Sequence, residues 1–189
     1  MLSVWLYLLF LAATGVERLV ELRVARRNAQ LAFARGGVEY GQFHYKVMVV
    51  LHSFFLPACA AEVLLLNRAF PGLVGWIALG LSLGAQVLRA AAIQALGQRW
   101  NTRIIVVPDF VPVTTGPYRF VRHPNYVAVV TEMAAVPAVH GAWISSLVFS
   151  ALNAVLLTVR IRAEEAALGR PWSLAFAGKN RFVPGGPSA

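Results

Sequence analysis

The side chains best suited to chemistry in this sequence lie between residues 116 and 126. They comprise two aromatic rings, two basic groups and a proline: Tyr118, Arg122, His123, Pro124 and Tyr126. The stretch lies between long apolar runs, and an ionisable group at the edge of a bilayer is costly unless it meets water, a partner or a ligand. Aromatic faces attract organic cations, and Arg or His pairs with carboxylates. The spacing therefore favours a site for a flat ligand that carries a positive and a negative charge.

Prolines on both sides stiffen this segment, and Gly116 permits a turn that other residues resist. The alternative interpretation is a membrane re-entry loop. In that case Tyr118 and Tyr126 are interfacial anchors and Arg122 binds a lipid phosphate. The ordered combination of these residues favours the ligand site.

A second group of charges follows the last apolar run, at Arg160, Arg162, Glu164 and Glu165. On a helix, spacings of four and three pair Arg160 with Glu164 and Arg162 with Glu165. Two solvated ion pairs are the simplest interpretation. Their position, where the chain leaves the bilayer near the 116–126 segment, favours a role in the site. Glu164 is on a different helix face from Glu165 and is expected to matter less.

Arg89 lies near the inner end of the third apolar run, among small residues that allow close helix packing. It either extends to the interface or meets an anionic oxygen of a substrate that arrives from the lipid. No metal site is expected, because His44 and His52 lack metal-ligand spacing. Cys59, the single cysteine, cannot form a disulfide within the chain.

The composition places these groups in a membrane protein. Of 189 residues, 58% are hydrophobic and 13% are charged, which is too apolar for an ordinary soluble domain. A hydrocarbon core of about 30 Å needs about 20 helical residues. Residues 2–20, 47–66 and 73–93 meet that length.

The fourth apolar run, residues 126–159, is too long for one span and too short for two generous ones. Pro137 and Gly141 near its middle predict a hairpin of two short helices, at 126–136 and 143–159. We therefore predict an all-α, polytopic bundle of four or five spans, the last two as the hairpin.

The net charge of +9 reflects topology rather than nucleic-acid binding. Sixteen of the seventeen Lys and Arg residues follow spans on one side, and only Arg68 belongs to the other. The positive-inside rule makes the basic side cytoplasmic and the N-terminus external. On that side the basic residues contact anionic membrane lipids.

One domain, residues 1–189, is predicted, because no linker or repeat divides the chain. Residues 1–95 hold the N-terminal spans, and residues 96–189 hold the loop, the hairpin and the C-terminal segment. Residues 17–35 predict an amphipathic helix that leaves the bilayer. Residues 104–107 are β-branched but are expected to remain an extended loop, since a single strand has no sheet to join.

The order of the motifs resembles the isoprenylcysteine carboxyl methyltransferase family, in its small bacterial branch. The motifs are LRAAAI at 88–93, GPYRFVRHPNY at 116–126, RIRAEEAAL at 160–168 and RFVP at 181–184. The resemblance covers roughly half of the chain. It implies a polytopic enzyme of the bacterial inner membrane, with a cytoplasmic pocket for S-adenosylmethionine and no metal.

The resemblance also implies roles for individual residues. The cofactor site would be lined by Tyr118, His123, Pro124 and Tyr126, with Arg122 in support. The reacting centre would be faced by Arg89, Arg160 and Glu165. After the Glu pair the family has a Gly and two Tyr, whereas this chain has Trp172 and Phe176 as the replacement aromatic wall.

The expected function is methyl transfer to a carboxylate, enol or phenol oxygen of a lipophilic acceptor. The acceptor is an isoprenylcysteine-like or long-chain polyketide lipid. The rival interpretations are an NADPH-dependent membrane lipid reductase and a non-enzymatic membrane module.

Overall fold

Five α-helices dominate the computed structural model, which describes residues 2–184. They are α1 (Leu2–Ala34), α2 (Gln42–Leu65), α3 (Leu73–Leu96), α4 (Pro124–Ala138) and α5 (Trp143–Ala175). All except α4 are long and apolar enough to cross a membrane. The predicted all-α, polytopic architecture is confirmed.

Helix α1 joins the predicted first span and the predicted amphipathic helix in one continuous element. Its 33 residues are about 50 Å long at 1.5 Å per residue, well beyond the thickness of a hydrocarbon core. The charges begin at Glu17, near the middle of the helix; Arg18 and Glu21 face into the bundle, and the later charges lie on the part that leads out of the bilayer. Gly36 follows the helix with a positive φ of 77°, a conformation that glycine adopts without strain.

The predicted hairpin is formed by α4 and α5. Helix α4 has 15 residues and is about 22 Å long, so it falls short of a full crossing. The connecting turn contains Gly141 at φ 70°, and a Cβ there would lie 3.1 Å from the Ala69 carbonyl oxygen. Helix α5 continues past residue 159, the end of the predicted hairpin, to Ala175 and kinks at Gly169, whose φ of 62° is not helical.

The prediction that residues 104–107 remain an unpaired loop is wrong. Strand β2 (Ile104–Val106) pairs antiparallel with β1 (Val38–Tyr40), with Val38 opposite Val106 and Tyr40 opposite Ile104. The two segments satisfy each other's backbone hydrogen bonds. This small ribbon ties the end of α1 to the loop that precedes α4.

The end of the bundle opposite the ribbon is closed by Glu62 of α2. Its carboxylate accepts hydrogen bonds from the backbone N–H groups of Ile144 (3.1 Å) and Ser145 (2.7 Å), at the start of α5. Arg68 donates to the same carboxylate at 2.9 Å. Cys59, one turn before Glu62, is fully buried in the apolar core beside Tyr7 and Phe55. The polar chemistry that remains lies towards the other end.

Candidate active site

The segment 116–126 begins with a short 3₁₀ turn, Gly116–Arg119, that buries Tyr118. Gly116 has φ 58°, and a Cβ at this position would lie 3.1 Å from the Ala95 side chain of α3. Tyr118 packs in a buried cluster with Trp172 and Phe176. Burial raises the pKa of the Tyr118 phenol above its ordinary value.

His123 lies between two aromatic rings at the start of α4. Its ring centroid is 5.3 Å from that of Tyr126 and 5.3 Å from that of Trp172. Pro124 is the first residue of the helix, a position that needs no backbone donor. The imidazole is 5% exposed, so its position is fixed by its neighbours.

Glu165 of α5 holds the far side of the His123 ring. Its Oε1 atom lies 3.0 Å from His123 Nε2. Arg181 donates to both carboxylate oxygens, at 2.9 and 2.5 Å. The predicted pair between Glu165 and Arg162 is absent from the ion pairs of residues 2–184, because Arg181 takes that place. Glu165 is not among the residues that line the adjoining cavity.

A C-terminal strap, residues 179–181, fixes the backbone of the same segment. The N–H groups of Arg122 and His123 donate to the carbonyl oxygens of Asn180 (3.0 Å) and Arg181 (3.1 Å). The Arg122 guanidinium donates to the Lys179 carbonyl oxygen and lies 5.8 Å from the centroid of the Trp172 ring. Arg122 therefore helps to hold the strap, and its expected role in support of a cofactor site stays a prediction.

Arg160 of α5 is held beside Tyr126, whose ring also contacts His123. Arg160 Nε donates to the Tyr126 hydroxyl at 2.9 Å, and Nη2 donates to the Thr102 carbonyl oxygen at 2.6 Å. The Tyr126 hydroxyl in turn donates to Glu164. Arg160 and Glu164 thus share a face, as predicted, but Tyr126 bridges them. Glu164, which the sequence ranked below Glu165, lines the cavity.

One atom of Arg160 has no partner within the described part of the chain. Arg160 is only 4% exposed, and its Nη1 atom is buried and makes no hydrogen bond with the described residues. Asn125 Oδ1 is likewise buried without a hydrogen-bond partner among residues 2–184. A buried unpaired donor or acceptor costs about 1–3 kcal/mol, which a ligand with matching groups would recover.

These residues face one cavity of about 950 Å³ that runs between the helices. The volume is at the upper end of the roughly 300–1,000 Å³ typical of small-molecule sites. The part beside Tyr118, Tyr126 and Trp172 is polar and aromatic. Between α1 and α2 the lining includes apolar side chains such as Leu19, Val49 and Leu56. Of the predicted site residues, the cavity wall includes Arg89, Tyr118, Arg122, His123, Tyr126 and Arg160.

Arg89 lies in a separate ionic cluster deeper in the bundle. It donates to Glu132 of α4 through Nη2 and, at 3.3 Å, through Nε. Arg18 lies 3.2 Å from Glu132 and 2.5 Å from Glu21, both of which line the same cavity. The implied role of Arg89 in orienting an acceptor stays a prediction, because its guanidinium is already paired with a carboxylate.

Sequence reasoning missed Glu132, Thr102 and Arg181. Glu132 carries a usable signal, since a lone carboxylate inside an apolar run is costly without a partner. Thr102 holds Arg160 through its backbone carbonyl oxygen, and Arg181 pairs with Glu165 across 16 residues, so residue spacing predicts neither contact. Among residues 2–184, no group of three or more His, Cys, Asp or Glu side chains is placed to hold a metal ion.

The long apolar helices and the polar pocket at one end define an integral membrane protein of the polytopic helical class. The chain belongs to the isoprenylcysteine carboxyl methyltransferase (ICMT) family, whose model matches residues 76–170. It is thus a member of a membrane methyltransferase family. The matched region holds the 116–126 motif and the Glu pair, but it ends before Trp172 and Phe176, where the sequence departs from the family pattern.

Two bacterial proteins are similar to this chain over most of its length. The uncharacterized protein YpbQ of Bacillus subtilis (strain 168) is 39% identical over 164 residues, which cover 86% of this chain and 96% of YpbQ. An uncharacterized protein of Haemophilus influenzae is 25% identical over 152 residues, which cover 80% of this chain and 88% of that protein. These matches extend into the N-terminal half, beyond the region that the family model matches.

Proposed function

We propose that this protein is an S-adenosylmethionine-dependent methyltransferase that acts on an anionic oxygen of a lipophilic acceptor. The oxygen belongs to a carboxylate, or to an enol or a phenol that has released its proton to solvent, of an isoprenylcysteine-like or long-chain polyketide lipid. We place the enzyme in a bacterial inner membrane, with its N-terminus outside and its pocket on the cytoplasmic side. Family membership supports the reaction class.

The observation that carries the proposal is the position of Arg160. It is a buried cation on the wall of a cavity that has both an aromatic part and an apolar part. Tyr126 and Thr102 hold Nε and Nη2, which leaves Nη1 free of partners among the described residues. A fixed guanidinium whose Nη1 nitrogen is unpaired can orient an anionic oxygen and leave a lone pair available for reaction.

The aromatic part of the cavity fits the implied cofactor. Tyr118, Trp172 and Phe176 supply ring faces, which attract a sulfonium and can stack with an adenine. Asn125 Oδ1 is a buried acceptor without a partner in residues 2–184, and an ammonium or amino group could donate to it. When bound, S-adenosylmethionine would supply an electrophilic methyl group, which the acceptor oxygen takes as the sulfonium becomes a thioether.

The remaining contribution of the protein is alignment in a site with little water. Arg160 holds the acceptor oxygen, and the His123 ring, fixed by Glu165, holds the position of the aromatic wall. Holding two reactants in line can contribute about 7–11 kcal/mol to catalysis. No general base is needed for an oxygen that is already anionic.

The apolar part of the cavity supports entry of the acceptor from the lipid. Gly15 of α1 and Leu56 of α2 both line it, and a Cβ at Gly15 would lie 3.7 Å from Leu56 Cδ1. Gly15 and Leu56 are thus too close for an alkyl tail to pass directly between them, but the cavity that Leu19, Val49 and Leu56 line could hold such a tail while the polar head reaches Arg160.

Isothermal titration of the purified protein with S-adenosylhomocysteine, and in parallel with NADPH, tests the cofactor assignment. We expect S-adenosylhomocysteine to bind and the His123→Ala variant to bind it more weakly, since His123 contacts Trp172. Binding of NADPH alone would favour a reductase. Binding of neither ligand would favour a non-enzymatic membrane module.

A further inference from the structure

The cavity continues past Arg160 to a second polar level inside the bundle. Tyr126 of α4 contacts Arg160 of α5, and the two helices run in opposite directions as a hairpin. Seven residues deeper on each helix stand Met133 and Asn153, and both line the cavity. At 1.5 Å per residue this level is about 10 Å from Arg160 along the helix axis.

Asn153 is the unsatisfied polar group at this depth. It is 1% exposed, and its Oδ1 atom is buried without a hydrogen-bond partner in the described part of the chain. Leu157, four residues later, lines the cavity on the same helix. An amide in such surroundings costs stability unless something in the cavity donates to it.

The charged side chains at the same depth exclude an ionic occupant. Glu132 lies six residues after Tyr126 on α4, and with Arg18, Glu21 and Arg89 it makes a cluster of two cations and two anions that line the cavity. The four charges that line the cavity pair with one another and sum to zero, and Glu17, which is not part of the lining, adds a further carboxylate beside Arg18. A charged group placed beside them would lose its hydration without a free counter-ion.

We propose that this level is a second acceptor subsite, where the side-chain amide of Asn153 forms a hydrogen bond with a hydroxyl that the acceptor lipid carries within its chain. The inference rests on the proposed function, which places the anionic oxygen at Arg160. Because three backbone bonds of an extended chain cover about 3.6 Å, a span of about 10 Å corresponds to roughly eight or nine bonds. The acceptor is thus a mid-chain hydroxylated lipid rather than a plain hydrocarbon tail.

The test compares fatty acids that differ only in the hydroxyl, added to the full chain in lipid nanodiscs. The three probes are stearic acid, a hydroxystearic acid with the hydroxyl at mid-chain, and alpha-hydroxystearic acid. Apparent affinity follows from the rise in unfolding temperature with probe concentration. We expect the mid-chain isomer to bind about three- to tenfold more tightly than the other two, as one net hydrogen bond allows.

Asn153→Leu should abolish this preference, because Leu has a similar size and cannot form the hydrogen bond. Ser150→Ala is the matched control. Ser150 lies on the same helix, and its buried hydroxyl also has no partner among the described residues. Because Ser150 does not line the cavity, the preference for the mid-chain isomer should remain. Equal binding of the three probes by the wild type, or a preference that survives in Asn153→Leu, overturns the subsite.

If Asn153→Leu does not fold, the comparison of positional isomers in the wild type decides alone. Titration with S-adenosylhomocysteine in the same nanodiscs separates this inference from the proposed function. A mid-chain preference without cofactor binding would retain the subsite and reject the methyltransferase. Cofactor binding without a mid-chain preference would support the methyltransferase and reject the subsite.

Discussion

The Nε2 atom of His123 lies 3.0 Å from Oε1 of Glu165, a carboxylate that is not part of the cavity wall. Glu165, which the resemblance implies at the reacting centre, therefore contacts the pocket through His123. Arg181, from the C-terminal strap, closes the chain of contacts with two hydrogen bonds to the same carboxylate. Glu165 and Arg181 are positioning residues in this arrangement.

Removal of Arg181 should weaken cofactor binding without unfolding the protein. We expect Arg181→Met to lower the affinity for S-adenosylhomocysteine by about two- to fivefold, the effect of a half-exposed ion pair. Arg170→Met is the control, because Arg170 is exposed and makes no ion pair among residues 2–184. Titration of both variants, with the unfolding temperature as a folding check, measures the effect. Equal affinity in the two variants would make the strap irrelevant to the pocket.

Replacement of Arg160 by Lys should keep the charge and lose the geometry. A single ammonium cannot contact Tyr126, Thr102 and an acceptor oxygen in the directions of a planar guanidinium. We expect turnover to fall about 30- to 1,000-fold, which corresponds to about 2–4 kcal/mol for one charge-assisted contact in a site with little water. Steady-state kinetics in liposomes measure it.

Arg162→Lys is the matched control for that substitution. Arg162 lies two residues away on the same helix and is exposed. The turnover of the Arg162→Lys variant should be near that of the wild type. Near-normal turnover of Arg160→Lys would show that the group of charges from 160 to 165 is only structural.

The Arg89–Glu132 pair should contribute to stability more than to the chemical step. Removing one partner of a buried ion pair leaves an uncompensated charge and costs about 3–5 kcal/mol. We expect Arg89→Met to lower the unfolding temperature strongly and the double variant Arg89→Met/Glu132→Met to recover most of it. Thermal unfolding measures both. A stable single variant with greatly reduced turnover would instead support a direct contact of Arg89 with the acceptor.

The spans could be predicted from the sequence because their signal is local. The length of each apolar run marks a crossing, and Pro137 with Gly141 marks the turn of the hairpin. The β1–β2 pairing could not be predicted, since Val38 and Val106 are far apart in the chain and each segment has only three residues. A strand of that length is recognisable only once its partner is known.

The site also has parts that could be predicted from the sequence and parts that could not. The segment 116–126 and the Arg160–Glu165 charges have dense local patterns, and the structure brings them together. Which carboxylate faces the cavity depends on the rotation of α5, which the spacing of Glu164 and Glu165 does not fix. The partner of Arg89 depends on the packing of α3 against α4, which the sequence of either helix alone does not show.

The one-sided distribution of basic residues predicts the orientation of the chain. Reporter fusions after Arg35, which follows α1, should give a cytoplasmic signal. Fusions after Asn67, in the turn between α2 and α3, should give an external signal. The opposite pair of signals would place the pocket on the external side, away from the cytoplasmic cofactor.

Transfer of a labelled methyl group from S-adenosylmethionine into lipid tests the central claim most directly. Membranes that contain the wild-type protein should incorporate label into the solvent-extracted lipid, and membranes with Arg160→Lys should incorporate far less at equal protein content. Alkali treatment of the labelled lipid then distinguishes a carboxyl methyl ester, which releases labelled methanol, from an aryl ether, which does not. Labelled lipid that depends on Arg160 would support the account, whereas the absence of labelled lipid from wild-type membranes supplied with hydroxylated, prenylated and polyketide lipids would contradict it.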